Sequence, residues 1–164
     1  MYFNTSLGLK LNTQQVISEI IRFMQEDDKR RYKIIIGTDS ARSEDNTADF
    51  VTAIIVHRVG NGGRYFWRRI DEGRLAEEKA KFHTLRDRII NEVLLSLEAA
   101  KEVLVILKDF GASNFDFEIH ADVGENGETK TMIAEVVGMI RAYNFEARTK
   151  PNSYGASKVA DRHV

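Results

Sequence analysis

The sequence predicts a single α/β domain with a five-stranded mixed sheet, in which three antiparallel strands are followed by strands that alternate with helices. In the first half of the chain, β-branched and aromatic runs follow one another with only turn residues between them. In the second half, similar runs alternate with stretches of helical periodicity, which indicates that the later strands run parallel. The 164 residues contain one proline and no linker-like or repeated stretch, so we expect one domain over residues 1–164.

An amphipathic helix is predicted near the N-terminus, before the first strand. Thr13 is a candidate N-cap, because its hydroxyl can accept a hydrogen bond from a backbone N–H group of the first turn. The charged run at residues 27–31 ends the helical pattern. Apolar residues recur at helical spacing between these points: Val16, Ile17, Ile20, Ile21 and Phe23. We therefore expect residues 1–30 to form a helical extension of the sheet domain.

Three consecutive strands are predicted next. Residues 33–39 are β-branched and apolar at successive positions, as is typical of a strand covered on both faces, and Asp39 stands at the C-terminal end of this run. Residues 50–58 and 64–70 form two further runs of the same kind. The Asn-Gly-Gly sequence at residues 61–63 between them indicates a hairpin, and hence antiparallel pairing.

A long helix and a fourth strand follow. Thr84, with Asp87 three residues later, resembles a capping box. Apolar residues then recur on one helical face: Leu85, Ile89, Val93, Leu97, Ala100 and Leu104. Residues 115–123 alternate in polarity and predict a strand that ends near Asp122.

The last part of the chain is predicted to contain two helices and a strand. Residues 132–143 have helical periodicity, and residues 145–150 read as a fifth strand. Ser157 is a candidate N-cap for a short terminal helix that contains Asp161.

The composition excludes several classes of site. The chain has no cysteine, which excludes disulfides, thiolate zinc sites and cysteine nucleophiles and agrees with a reducing compartment. No basic segment followed by an apolar run stands at the N-terminus, and no apolar stretch approaches the length of a membrane span. We therefore expect a cytoplasmic protein that does not contact membranes.

Four acidic residues form a candidate site. Asp39 and Asp122 follow separate strands, and the ends of neighbouring strands meet at the ligand sites of α/β sheets. Asp161 lies on the terminal helix, and Glu92 lies at the border of the long helix's apolar arc, from which it can reach the sheet. Gathered carboxylates repel one another and need hard cations such as Mg²⁺ or Mn²⁺; two such ions support phosphodiester hydrolysis. The same aspartates could instead cap turns, and Glu92 could be solvated.

Basic residues are in excess near the C-terminus. Residues 141–164 contain five lysines and arginines against two acids, a balance that suits a phosphate backbone, although an ordinary solvated face explains it too. His120 lies two residues before Asp122 on the same strand face, so it is a candidate substrate contact or a structural histidine. The other candidate substrate contacts are Lys150, Lys158 and Arg162.

Three stretches of the sequence resemble a known family. They are IGTDS at residues 36–40, HADVG at residues 120–124 and KPNSYGASKVADR at residues 150–162. These strings look like the YkuK-type family of predicted ribonuclease H-like proteins, and the likeness runs from about residue 31 to the C-terminus. The resemblance implies a ribonuclease H-like fold and a metal-dependent nuclease that acts on RNA or DNA.

The resemblance also implies the role of each acid. Asp39 would bridge two Mg²⁺ or Mn²⁺ ions, and Glu92, Asp122 and Asp161 would complete their coordination. Alignment with a typical ribonuclease H helix places Ile89 where the catalytic glutamate stands, so that Glu92 comes one turn late. Either the helix is shifted along its axis, or only three acids form the site.

Three functions are compatible with these patterns. The first is a metal-dependent nuclease that uses the four acids. The second is a non-catalytic nucleic-acid-binding or scaffold protein on the same fold, from which metal-dependent turnover distinguishes the first. The third is a phosphate-binding domain related to the actin-like ATPases, suggested by the Asp-bearing first strand and the Gly-rich turn after Asp122; those enzymes use two such domains, whereas this chain has one.

Overall fold

One mixed sheet of seven strands forms the centre of the computed structural model, which describes residues 2–70 and 81–164. In chain order the strands are Tyr2–Thr5 (β1), Lys10–Asn12 (β2), Tyr32–Arg42 (β3), Ala48–Arg58 (β4), Gly63–Ile70 (β5), Phe115–His120 (β6) and Glu146–Arg148 (β7). Their order across the sheet is β2-β1-β5-β4-β3-β6-β7. The strand β3 pairs antiparallel with β4 and parallel with β6, and β6 pairs parallel with β7.

Three α-helices and several short helical turns accompany the sheet. The α-helices are Thr13–Gln25 (α1), Leu85–Asp109 (α2) and Ile133–Ala142 (α3). A 3₁₀ turn at Glu128–Met132 precedes α3; a π-helical turn at Gly155–Ala160 and a 3₁₀ turn at Asp161–His163 belong to residues 153–164, hereafter the C-terminal segment. None of the described helices has the length and apolar character needed to cross a membrane.

The prediction of five strands was wrong, because the structure adds β1 and β2 at the N-terminus. They pair antiparallel with each other, and β1 also extends the sheet by pairing with β5 through Asn4 and Trp67. Strands of four and three residues are too short to show periodicity, so the sequence pattern did not reveal them. The expected helical extension over residues 1–30 is thus a hairpin followed by a helix.

The two faces of the sheet are covered differently. On one face, Ile34 and Ile36 of β3 belong to a large apolar core with residues of all three α-helices. On the opposite face, Val51 and Ala53 of β4 pack with Ala160 of the C-terminal segment. A thin helical segment, rather than a full-length helix, therefore covers the second face.

The helix caps agree with the sequence at α2 and differ at two other places. Thr84 and Asp87 form the predicted capping box of α2, which is confirmed. At α1 the prediction of Thr13 was wrong by one residue: Asn12 accepts from the Gln15 N–H group, and the Gln15 side chain accepts from the Asn12 N–H group. Ser157 was also wrong as a cap, because it lies inside the π-helical turn and its hydroxyl donates to the Ser153 carbonyl at 3.0 Å.

Two glycines allow the C-terminal segment to lie directly on the sheet. A Cβ atom at Gly37 of β3 would lie 2.5 Å from the Ala156 nitrogen. A Cβ atom at Gly155 would lie 2.7 Å from a methyl group of Ile35. The backbone of the C-terminal segment therefore lies so close to the sheet that only glycine fits at these two positions.

Candidate active site

The sequence predicted that Asp39 stands at the C-terminal end of a strand, but in the structure it lies inside β3. The antiparallel pairing of β3 with β4 continues to Arg42, whereas the parallel pairing with β6 stops at Gly37. Asp39 therefore stands two residues beyond the end of its parallel neighbour. Its flanking residues Thr38 and Ser40 contact α2, so alternation along β3 directs Asp39 to the face that carries the C-terminal segment.

Asp39 interacts with two other candidate acids. Its pKa is raised from 3.8 to about 6, chiefly by burial. Repulsion from Asp122 and Asp161 and a hydrogen bond with the Asp161 side chain contribute to the increase, while a hydrogen bond from the Ser40 backbone opposes it. Both effects of Asp161 require its carboxyl group to lie close to that of Asp39. The structure thus brings Asp39, Asp122 and Asp161 within electrostatic reach of one another.

Asp122 lies in the loop that follows β6 and forms an ion pair with Lys150. Its Oδ2 atom lies 2.9 Å from the Lys150 ammonium, and the Lys150 N–H group donates to the Val123 carbonyl at 2.8 Å, which fixes the two chains side by side. The other carboxylate oxygen, Oδ1, is buried and has no hydrogen-bond partner in the described part of the chain. An unpartnered buried carboxylate oxygen is costly, so this atom is poised to take a ligand.

Glu92 comes from α2, on the other side of β3. Its side chain is buried, with 7% of the residue exposed, and Ser40 donates a hydrogen bond to Oε1 at 2.6 Å. The pKa of Glu92 is raised to about 8, chiefly by burial and also by repulsion from Asp39 and Asp122, while Ser40 and Arg88 act in the opposite direction. Glu92, predicted at the border of the apolar arc of its helix, therefore places a buried carboxyl group against the C-terminal part of β3.

Arg88 and Ser40 were missed by the sequence analysis. Arg88 donates to the Ser40 carbonyl at 3.0 Å and to the Ser40 hydroxyl at 3.1 Å, so it braces the residue that holds Glu92. The available signals were the spacing of four between Arg88 and Glu92 on one helix and the position of Ser40 next to Asp39.

Asp161 is exposed and is held by the packing of its neighbours. Ala160 packs on β4, and the His163 ring stacks on Trp67 with centroids 4.1 Å apart and an interplanar angle of 8°. Arg69 donates to the His163 carbonyl at 2.7 Å. Contacts on both sides of Asp161 thus hold the turn against the sheet and keep the carboxyl beside Asp39.

His120 is a buried link between the sheet and the C-terminal segment. Only 1% of the residue is exposed, and its Nδ1 atom accepts a hydrogen bond from the Gly155 N–H group at 3.0 Å. The tautomer therefore carries its proton on Nε2, which lies 3.2 Å from Glu118 Oε2 and donates to it. Burial lowers the pKa of His120, consistent with a neutral ring. Both nitrogens face protein groups.

The other basic candidates lie at three different places. Lys150 contacts Asp122 and so belongs to the acid group. Lys158 is exposed and faces a groove beside Glu118 and Arg148. Arg162 is exposed on the last turn, next to Asp161. Of the predicted substrate contacts, only Lys150 therefore touches a candidate acid directly.

The residues fit a divalent cation by their chemistry, although they do not form a finished site. Within residues 2–70 and 81–164, no three Asp, Glu or His side chains are grouped closely enough to hold a metal ion. The carboxylates nevertheless all supply oxygen ligands, and one buried oxygen of Asp122 has no hydrogen-bond partner among the described residues. Nearby negative charges contribute to the raised pKa of Asp39, and a hard cation would relieve that repulsion.

Comparison with known proteins gives two findings. A family model described as "Ribonuclease H-like" matches residues 15–164. The "Uncharacterized protein YkuK" of Bacillus subtilis (strain 168) is 33% identical over 172 residues, which cover 99% of this chain and 95% of that protein. The matched region contains all four acids and every strand from β3 to β7.

Proposed function

Because this chain belongs to the ribonuclease H-like family, in its YkuK-type branch, we propose that it is a metal-dependent nuclease that hydrolyses phosphodiester bonds of nucleic acid. The observation that carries the proposal is the gathering of carboxyl groups from separate parts of the chain around Asp39. Asp39 and Glu92 both have raised pKa values, and each is affected by a negative charge on Asp122. Acids that serve only the fold are normally paired, so this arrangement suits cation binding.

In the proposed mechanism the four acids hold Mg²⁺ or Mn²⁺. Asp39 is central, because it interacts with both Asp122 and Asp161 and with Glu92. When bound, two divalent cations would supply Lewis-acid activation and charge neutralisation for an in-line displacement at phosphorus. Asp122 offers its free Oδ1 atom, and Glu92 must lose the proton that its raised pKa retains near neutral pH.

Cations already present in the protein have a supporting role in the proposal. Lys150, half exposed beside Asp122, is a proposed contact of a substrate phosphate. Arg162, exposed next to Asp161, is a second proposed phosphate contact. His120 acts through the Gly155 N–H group to position the C-terminal segment, and a direct contact with substrate is not part of the proposal.

The test is a cleavage assay with end-labelled RNA, DNA and RNA–DNA hybrid oligonucleotides. We expect fragments only when Mg²⁺ or Mn²⁺ is present, and none after chelation or in an Asp39→Asn variant. Cleavage that persists without divalent cations would contradict the mechanism. Absence of cleavage of every substrate, with cation and folded protein present, would contradict the function.

A non-catalytic nucleic-acid-binding role is the second candidate, and one observation favours it. Lys150 already neutralises Asp122, and the described residues contain no finished metal site. An ion pair of this kind could retain the acid for structural reasons. The same assay separates the two functions, because this candidate predicts binding of the oligonucleotides without turnover.

A further inference from the structure

A basic groove lies on the same face of the sheet as Asp39, beside the C-terminal segment. Its volume is about 670 Å³, and the residues that line it include Lys33 of β3, Glu118 of β6 and Arg148 of β7. The C-terminal segment contributes Tyr154 and Lys158, and Asn152 lies just before it. The three lysine and arginine side chains outnumber the single carboxylate, so the lining carries a formal net charge of +2.

Glu118 forms the floor of this groove and fixes two of its cations. Only 3% of Glu118 is exposed, and its carboxylate accepts from Lys33 at 2.7 Å, from Arg148 at 3.3 Å and from His120 at 3.2 Å. The carboxylate is thus fully compensated and withdrawn from solvent. Arg148 also forms an ion pair with Glu146. Lys33 and Arg148 keep 29% and 41% of their side chains exposed, so each can still offer donors to an anion in the groove.

Lys158 is the residue that indicates a binding groove, because the ion pairs that compensate Glu118 do not account for it. Compensation of Glu118 accounts for Lys33 and Arg148, but Lys158 is exposed and forms no ion pair with any residue in the described ranges, 2–70 and 81–164. Its ammonium adds a third positive charge to a groove whose only acid is already neutralised. Such a surplus attracts an anion.

The groove is continuous with the acid site along the chain. Lys150 contacts Asp122, and the next two residues, Pro151 and Asn152, line the groove. Glu118 lies on β6, and Asp122 follows in the next loop. Two short stretches of chain, residues 118–122 and 150–152, therefore connect the groove with the acids.

We propose that this groove binds backbone phosphates of the nucleic-acid strand away from the bond that is cut, and so anchors the substrate outside the reaction centre. The inference rests on the proposed function for the identity of the strand. Lys158, Lys33 and Arg148 supply the positive charge, and Glu118 acts as a positioning residue that holds the last two in place. The contacts are with phosphate, so the groove contributes affinity and little sequence preference.

The experiment measures binding of a fluorescently labelled single-stranded 12-mer by anisotropy, with chelator present so that nothing is cut. Lys158→Glu is the main variant, and Asn152→Asp places a negative charge on the same groove from a second exposed position. Lys108→Glu, at the far end of α2, is the matched control for net charge. Inorganic phosphate as a competitor separates free phosphate from strand phosphates.

We expect Lys158→Glu and Asn152→Asp to weaken binding roughly tenfold and to reduce the salt dependence by about one phosphate contact. Lys108→Glu should stay within about twofold of the unmodified protein, and millimolar inorganic phosphate should not displace the 12-mer. Equal losses in Lys108→Glu, unchanged binding in both groove variants, no binding at all, or displacement by inorganic phosphate would each overturn the groove assignment. If the groove variants bind more weakly but the unmodified protein cleaves nothing, only the proposed nuclease activity is refuted. If the protein cleaves and neither groove variant changes the cleavage, only the proposed role of the groove is refuted.

Discussion

The strand β6 and the loop after it place two carboxylates four residues apart in opposite electrostatic environments. Glu118 accepts hydrogen bonds from Lys33, Arg148 and His120, and the pKa of its carboxyl falls below the usual value; burial opposes this, but the Lys33 and His120 hydrogen bonds outweigh it. Among the described residues, Asp122 pairs with the cation of Lys150, and its buried oxygen Oδ1 has no partner. The fold can therefore compensate a buried acid on this face, and it leaves the acids around Asp39 short of positive charge. This contrast separates a carboxylate that serves the fold from carboxylates available to a ligand.

The largest effect should come from Asp39→Asn. An amide at this position weakens cation binding at the point where three other acids interact, so activity should fall at least about 10³-fold if several kcal/mol of Lewis-acid stabilisation are lost. The fold should be retained, because the amide removes repulsion. Asp116→Asn, at an exposed ion pair on the same sheet, is the matched control and should keep near-normal activity. Wild-type turnover in Asp39→Asn, measured by fragment release, would place the reaction elsewhere.

Divalent cations should stabilise the protein. A cation that binds only the folded state at a concentration of 100 times Kd adds about 2.7 kcal/mol, or roughly 5–10 °C in Tm for a domain of this size. Protons compete for the same carboxyls, since the pKa of Asp39 is about 6 and that of Glu92 is about 8. The shift should therefore be larger at pH 8 than at pH 5. Thermal denaturation with Mg²⁺ or Mn²⁺ at both values tests this, and an unchanged Tm at pH 8 would contradict the metal site.

Glu92→Gln should stabilise the cation-free protein at high pH. The folded-state pKa of Glu92 is raised from 4.5 to about 8, so the protonated form favours folding below pH 4.5 and this contribution is lost as pH rises through 8. Glutamine has no charge to lose and can still accept from Ser40. At pH 8 the variant should gain at least about 1.4 kcal/mol, the value of one pKa unit, with little difference at pH 4.5. The test is urea denaturation of both proteins. If the difference in stability between Glu92→Gln and the unmodified protein is the same at pH 4.5 and pH 8, the charge on Glu92 does not destabilise the fold.

The smallest effect, and of opposite sign, is expected for Glu118→Gln. The amide weakens the charge-assisted hydrogen bonds to Lys33 and Arg148, so the free energy of unfolding should fall by about 1 kcal/mol. Glu125→Gln, at an exposed ion pair with Lys130, is the control and should change it by less than about 0.5 kcal/mol. A stabilised Glu118→Gln protein would remove the contrast between the two carboxylates.

The acids could be selected from the sequence, whereas their partners could not. Asp39, Asp122 and Asp161 stand near element ends, and Glu92 borders an apolar arc; these are local patterns that a single chain displays. The pairing of Lys150 with Asp122 and of Lys33 with Glu118 joins residues 28 and 85 positions apart, and nothing local signals it. For the same reason, β3 extends past Asp39 because β4 lies beside it, and the sequence of β3 alone does not show where pairing stops.

Gly37 and Gly155 fix one dimension of the candidate active site, the separation between the sheet and the C-terminal segment. The spacing between sheet and C-terminal segment is set by bare backbone, at positions where an added carbon would lie 2.5 Å from the Ala156 nitrogen or 2.7 Å from an Ile35 methyl group. Asp161 follows Gly155 by six residues, so any wedge at this contact would lift its carboxyl from Asp39 without altering a single acid. Gly37 and Gly155 carry no functional group. Their lack of a side chain nevertheless determines how close the carboxyl groups of Asp39 and Asp161 can come, although these two acids are far apart in the sequence.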